Sequence, residues 1–186
     1  MEISLRSLTT RTAVSTASCV ALSAVLTMNS ASVAHADYFS GGMPNRSFKI
    51  QAVAVNSTWM NHLRNATNNW NSAGVGASIK YNVPSKSTFT AGPYFRSWYG
   101  LYTGYDSRGP KRYFEITVNS KKLSEDAGSK LSAWSLSTST HEIGHALSLS
   151  DNPKTTKASL MKHSRDRAKI QKPQAYDKAE VTRIYK

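Results

Sequence analysis

Residues 141–151 read His-Glu-Ile-Gly-His-Ala-Leu-Ser-Leu-Ser-Asp, and this stretch constrains the fold more than any other. Side chains four apart on an α-helix lie on one face, about one turn apart. A helix through 141–145 therefore sets the His141 and His145 imidazoles side by side, with the Glu142 carboxylate projecting beside them. Two imidazoles so placed suit a single divalent ion, and a second carboxylate, Asp151, stands ten residues after the first imidazole. For Asp151 to join them, the helix has to end and bend shortly after His145.

The beginning of the chain says where such a site would work. Arg6 and Arg11 precede an uncharged, mostly small and apolar run over 12–28, and Ala34-His35-Ala36 puts small residues at the two positions a signal peptidase inspects. Cleavage after Ala36 is expected, making residues 1–36 a signal peptide, residues 37–186 the mature chain and the protein secreted. The run 12–28 is short and rich in Ser and Thr, a poor match to about 30 Å of hydrocarbon, so no transmembrane anchor is expected. Cys19, the one cysteine, leaves with this segment. An exported chain without disulfides has to stand on its packed core, and residues 37–186 suffice for one domain.

The formal net charge is +13, and loss of residues 1–36, which hold Arg6, Arg11 and Glu2, lowers it by one unit. Basic residues are spread along the chain, densest at Lys154, Lys157, Lys162, Arg165, Arg167, Lys169 and Lys172. No zinc-finger, helix-turn-helix or aromatic RNA-binding pattern accompanies them, which argues against specific nucleic-acid recognition. A solvated basic face is expected, with an anionic cell-surface polymer, phospholipid or acidic protein as a salt-dependent partner.

Periodicity supplies the remaining elements. Residues 48–55 alternate as a strand, and Asn56 or Ser57 can cap a following helix whose Trp59, Leu63, Ala66, Trp70 and Ala73 form a buried stripe ended by Gly74 and Gly76. His62 falls outside that stripe and is expected to face solvent. Residues 77–83 are expected as a second strand and 94–105 as a third, between turns at Gly92-Pro93 and 104–110. In a fourth strand, 113–119, Phe114, Ile116 and Val118 alternate with Glu115, Thr117 and Asn119. The site helix is expected over 132–149, and a last helix from about Gln174 or Asp177 to Tyr185, with Val181, Ile184 and Tyr185 inward.

Taken together, 116–120, the site helix, Ser159-Leu160-Met161 and Tyr176-Asp177 make the chain resemble the metzincin zinc endopeptidases, near the matrixin-like secreted members, over residues 47–186. The resemblance implies an α+β fold: a small twisted mixed sheet packed on a first helix and a zinc-site helix, with a C-terminal helix after a Met-turn carrying Met161. It implies one catalytic zinc ion held by His141, His145 and Asp151, with Glu142 as general base and acid in peptide-bond hydrolysis. It also implies an extended protein or peptide substrate along an edge strand, for which 97–103 is the expected edge, with Ser97, Trp98, Tyr99, Gly100 and Leu101 in contact. The pocket beyond the cleaved bond would be walled by the segment that holds Lys162, Arg165, Arg167 and Lys169, hinting at acidic or polar preference.

Two positions depart from the family pattern H-E-x-x-H-x-x-G-x-x-H or D. Aspartate at the last position is similar to the snapalysin type. Ser148 stands where the family has glycine, and since glycine takes positive φ freely, serine implies strain of about 1 kcal/mol or a different turn. His163 lies where the astacin and serralysin branches carry a tyrosine, which implies an oxyanion contact or a fifth ligand. After cleavage only His62, His141, His145 and His163 remain, with no thiol, so neither a structural zinc nor a cysteine-bearing propeptide is expected. Asp106 marks the place for any structural calcium, and a monomer is expected. Two other functions fit the same residues: a weak or inactive zinc-binding protein attached to anionic surfaces, and an amidase acting on cell-wall peptide.

Overall fold

A computed structural model describes residues 37–186; the expected signal peptide, residues 1–36, lies outside the described residues. The elements in chain order are β1 (Ser47–Ala52), α1 (Ser57–Asn71), β2 (Ser78–Tyr81), β3 (Thr88–Gly92), β4 (Gly100–Tyr105), β5 (Tyr113–Asn119), α2 (Ser120–Ala127), α3 (Leu131–Ala146) and α4 (Ala175–Ile184). The strands form one mixed sheet in the order β2-β1-β3-β5-β4. The first four in that row run parallel, and β4 pairs antiparallel with β5 at the edge. The fold is therefore α+β.

One face of the sheet supplies the core. Phe48 and Ile50 of β1, Ile79 of β2, Phe89 of β3, Tyr102 of β4, and Phe114, Ile116 and Val118 of β5 are buried, while Lys49, Glu115 and Leu101 face outward. This period-two division is what a sheet covered on one side requires. Against it lies α1, started by the Asn56 side chain, which accepts from the Trp59 amide at 3.1 Å. Its stripe of Leu63, Ala66 and Trp70 is fully buried. Gly74 at φ 75° and Gly76 at φ 70° then turn the chain into β2, a conformation glycine adopts without the penalty of a β-carbon.

Several expectations need correction. The second strand is only Ser78–Tyr81, and β3 was not anticipated at all, because it offers one fully buried residue, Phe89, beside the turn at Gly92. The third expected strand starts at Gly100, not 94; the stretch before it is a loop held by Asn119, which falls on the polar side of the β5 alternation yet is fully buried. The Asn119 side chain accepts from the Tyr94 and Lys122 amides and donates to the Arg96 and Trp98 carbonyls, fixing that loop and capping the unforeseen α2 together. His62 is 7% exposed, against the side of Trp59 with ring centroids 5.3 Å apart, and its burial lowers its pKa. The site helix ends at Ala146, three residues short of the expected limit. Among the described residues no helix is long and apolar enough to cross a membrane.

Candidate metal centre

Every residue from Ser137 to Leu149 is buried, so α3 runs through the interior with polar residues on all sides. A buried hydroxyl or imidazole needs a partner, and most are found outside the helix or one turn back. Ser137 Oγ donates to the Ile170 carbonyl at 2.7 Å, Thr140 Oγ1 donates to Leu136 O at 2.8 Å, and Trp70 Nε1 reaches across from α1 to the Thr140 carbonyl at 2.8 Å. Gly144 leaves room beneath the site: a β-carbon there would come within 2.6 Å of Met161 Sδ and 3.3 Å of the Trp70 ring. Met161, 1% exposed, thus packs directly against the backbone between the two histidines.

The imidazoles are aimed from behind. His141 Nδ1 lies 3.0 Å from the Leu160 carbonyl and His145 Nδ1 2.9 Å from the Leu149 carbonyl. A carbonyl can only accept, so each ring carries its proton on Nδ1 and presents a bare Nε2 lone pair forward. Burial and the charge of Arg165 push His141 down to about 3, and burial lowers His145 as well, so both rings are neutral. Asp151 closes the group, with Oδ1 3.0 Å from His141 Nε2 and Oδ2 3.6 Å from His145 Nε2. Burial alone would raise the Asp151 carboxyl, but it is held low beside the histidines, of which His163 offers it an Nε2–H at 2.9 Å. Two lone pairs and a carboxylate therefore converge with no proton between them, an arrangement that repels itself unless a cation lies among the three. One ligand atom from each of His141, His145 and Asp151 lies within 4.8 Å of the others, and the group can hold a metal ion.

The bend that brings Asp151 into place is a Schellman turn. The Leu149 amide donates to Gly144 O at 3.0 Å and the Ser148 amide to His145 O at 2.9 Å, with Ser148 at φ 63°. Of the two outcomes expected for serine there, the left-handed conformation is the one adopted. Its hydroxyl is tied down in exchange: Arg108 donates to Ser148 Oγ at 2.5 Å, and Oγ lies 3.1 Å from the Tyr185 hydroxyl, which donates to Met43 O. Residues 37–43 run along this bend, pairing Phe39 N with Ser148 O and Ser150 N with Asp37 O, and Gly42 packs so closely on Ser148 that a β-carbon would overlap it.

Beyond the bend, Asn152 at φ 47° clamps the ligand loop to the Met161 turn: its amide donates to Met161 O at 3.0 Å and its Oδ1 accepts from the His163 amide at 2.8 Å. Asn152 Nδ2 meets His163 Nδ1 at 3.0 Å, which leaves the His163 proton on Nε2, 2.9 Å from Asp151 Oδ1. His163 thus holds the carboxylate from the solvent side. From the interior, Asp177 fixes the same turn, accepting from Ser159 Oγ, Leu160 N and, at the start of α4, Gln174 N. Asn152 was not singled out from the sequence; its one signal there is the turn-forming run Asp151-Asn152-Pro153.

Glu142 is 4% exposed, and burial followed by the Asp151 charge raises its carboxyl to about 8. Gly100 lies against it: a β-carbon at that position would overlap Glu142 Oε1 and reach within 2.8 Å of Thr138 Cγ2. The edge strand begins at this contact, so Ser97, Trp98 and Tyr99 lead into β4 while Gly100 and Leu101 open it. Two cavities meet at Gly100, His141, Glu142 and His163. One, of about 410 Å³, extends toward Tyr99 and Arg167; the other, of about 420 Å³, extends toward Phe39, Tyr102 and Asp151. His141, Glu142 and His163 thus lie between two spaces.

No family model matches the chain, and no curated protein matches it. Among solved structures it is similar to a chain of the GM1 bound form of the ECX AB5 holotoxin, at a TM-score of 0.54 and 16% identity, over 80% of this chain and 84% of the other. The likeness extends to the fold alone.

Proposed function

We propose that the protein is a secreted zinc-dependent endopeptidase of the metzincin type, with Asp151 as the third ligand. The observation that carries this is the meeting of three proton-free ligand groups with a buried carboxylate, Glu142, beside the free edge of β4. Zinc suits the donor set: bonds of about 2.0 to 2.2 Å to nitrogen and oxygen put tetrahedral ligand atoms about 3.4 Å apart. The separations of 3.0 and 3.6 Å between Asp151 and the two imidazoles straddle that value. Such an ion supplies a Lewis acid for the peptide carbonyl and makes a nearby water more acidic.

The rest belongs to the chain. Glu142, raised toward neutrality, is matched to take a proton from the attacking water and to return it to the departing amine. Its rigid seat against Gly100 keeps the carboxylate aimed. Among the described residues no strand pairs with the outer edge of β4, so an extended peptide can add itself there by backbone hydrogen bonds. His163 and Asn152 orient Asp151. The excess positive charge adds salt-dependent attraction to anionic surfaces.

The test is Glu142→Gln. Bound zinc, measured by elemental analysis, stays at one per chain, while cleavage of casein falls by about 10²- to 10⁴-fold. Full cleavage by that variant removes Glu142 from the chemistry, and a wild-type protein without zinc removes the proposal.

A further inference from the structure

The cavity on the Tyr99 side of Glu142 is lined by two arginines that no carboxylate touches. Arg165 is 8% exposed, and its hydrogen bonds go to neutral acceptors, Ser137 Oγ at 3.1 Å and the Lys162 carbonyl at 3.0 Å. Arg167 lies over the rings of Tyr99 and Trp134, at 4.6 and 5.4 Å from their centroids, and its Nε has no partner. Among the described residues neither guanidinium has a carboxylate within 4.0 Å. The nearby acids are committed elsewhere: Asp126 to the Tyr99 hydroxyl and Lys122, Asp177 to Ser159 and Leu160, Asp151 to the imidazoles, while Glu142, on the wall of the same cavity, stays beyond 4.0 Å of both guanidinium groups. Burial, followed by the charge of Arg167, brings Arg165 down to about 9, still protonated near neutral pH.

A buried cation without a counter-charge is costly. Arg165, with the half-buried Arg167 beside it, makes sense where the missing anion arrives with a ligand. Planar guanidinium groups pair with carboxylates through two parallel hydrogen bonds, and about 410 Å³ is ample for an acidic side chain. Resting on the endopeptidase proposal, we infer that this pocket selects a glutamate or aspartate side chain next to the cleaved bond, with Arg165 and Arg167 as the residues that determine the preference. Thr138, whose hydroxyl lacks a partner, lines the same cavity.

The test uses the zinc-loaded protein and peptides Ala-Ala-Ala-Xaa-Ala-Ala with Xaa as Glu, Gln or Lys. Two quantities are measured: kcat/KM, and binding to the Glu142→Gln form followed by the fluorescence of Trp98 and Trp134. Glu is expected to exceed the isosteric Gln by about tenfold or more in both, and Lys to be poorest. Arg165 is deep enough that its substitution can disturb folding, so Arg167 carries the variants. Arg167→Gln brings the Glu:Gln ratio toward one, and Arg167→Glu reverses the order in favour of Lys. Cleavage with equal rates for Glu and Gln, or a ratio untouched by Arg167→Glu, overturns the assignment while leaving the endopeptidase intact. Glu-selective binding without cleavage of any peptide supports the pocket and sinks the endopeptidase.

Discussion

α1 and α3, of 15 and 16 residues, pack on each other beneath the same sheet, yet they are built on opposite principles. α1 buries a stripe and leaves Asn61, Arg64, Asn65 and Asn68 to water. α3 buries both imidazoles, Glu142 and a run of hydroxyls, and satisfies several of them from outside the helix: Leu160 and Ile170 on distant segments, and Leu149 in the turn that follows it. One helix holds the fold by removing apolar area from water. The other uses that stability to keep polar groups where water would not leave them. Substitutions in the two should therefore separate activity from folding.

The widest separation is expected at Glu142. Glu142→Gln lowers turnover by orders of magnitude, and because burial disfavours its charged form, the metal-free variant unfolds no more readily than wild type at pH 8. Trp70→Ala does the reverse. It removes a fully buried ring and the hydrogen bond to the Thr140 carbonyl, at a cost of about 3–5 kcal/mol in denaturant unfolding. The fraction that stays folded should still bind zinc. Equal loss of stability and turnover in both variants would erase the distinction between the helices.

The same contrast explains what was legible in the sequence. The α1 stripe and the His141–His145 spacing are local patterns, so both helices could be placed from residues alone. Asp151 required one further idea, a bend after His145. What was hidden depends on tertiary partners. β3 has one fully buried side chain and α2 buries only Leu123 and Ala127, too little for a periodic signal. Asn119 read as the polar side of a strand and is a buried clasp for the loop before β4. His62 was expected in water and lies under Trp59. The basic cluster over 154–172 was expected as a solvated face, with Lys162, Arg165, Arg167 and Lys169 also walling a pocket; Lys154, Lys157, Lys169 and Lys172 are exposed, whereas Arg165 turns inward, a choice made by Ser137 on another element.

Proton linkage sharpens the comparison further. The unfolded chain releases the Glu142 proton near 4.5 and the folded, metal-free chain near 8, so between those values the folded state holds the extra proton and stability falls as pH rises. His141 works the other way: its unfolded value of 6.5 drops to about 3, so stability falls as pH falls below about 6.5, and His145 adds in the same direction. Between 4.5 and 6.5 the Glu142 and His141 slopes cancel, leaving those of His145 and His62 against that of Asp177, whose carboxyl burial raises. Chelator-treated protein should thus be most stable near pH 6.5, by urea unfolding across pH 4 to 9. In Glu142→Gln the alkaline decline flattens and the acid decline remains. Parallel curves for the two proteins between pH 7 and 8 would show that the buried carboxyl is not the source of the alkaline slope.

The smallest effect tests the bend itself. Ser148 sits at φ 63°, where a β-carbon costs about 1 kcal/mol relative to glycine, and its hydroxyl is held by Arg108 and Tyr185. Ser148→Ala keeps the strained backbone and discards the hydroxyl, leaving the half-buried Arg108 short of an acceptor, so a loss of about 1–2 kcal/mol is expected. Ser148→Gly discards the same hydroxyl but relieves the backbone, so it should be more stable than the alanine variant by about 1 kcal/mol in denaturant unfolding. That difference isolates the conformational penalty; the difference between alanine and wild type, which share the strained backbone, is the worth of the hydroxyl. If the two variants prove equally stable, the left-handed turn costs this chain nothing. Serine at 148 would then be held solely by the hydrogen bonds that tie the metal-site bend to Met43 through Tyr185.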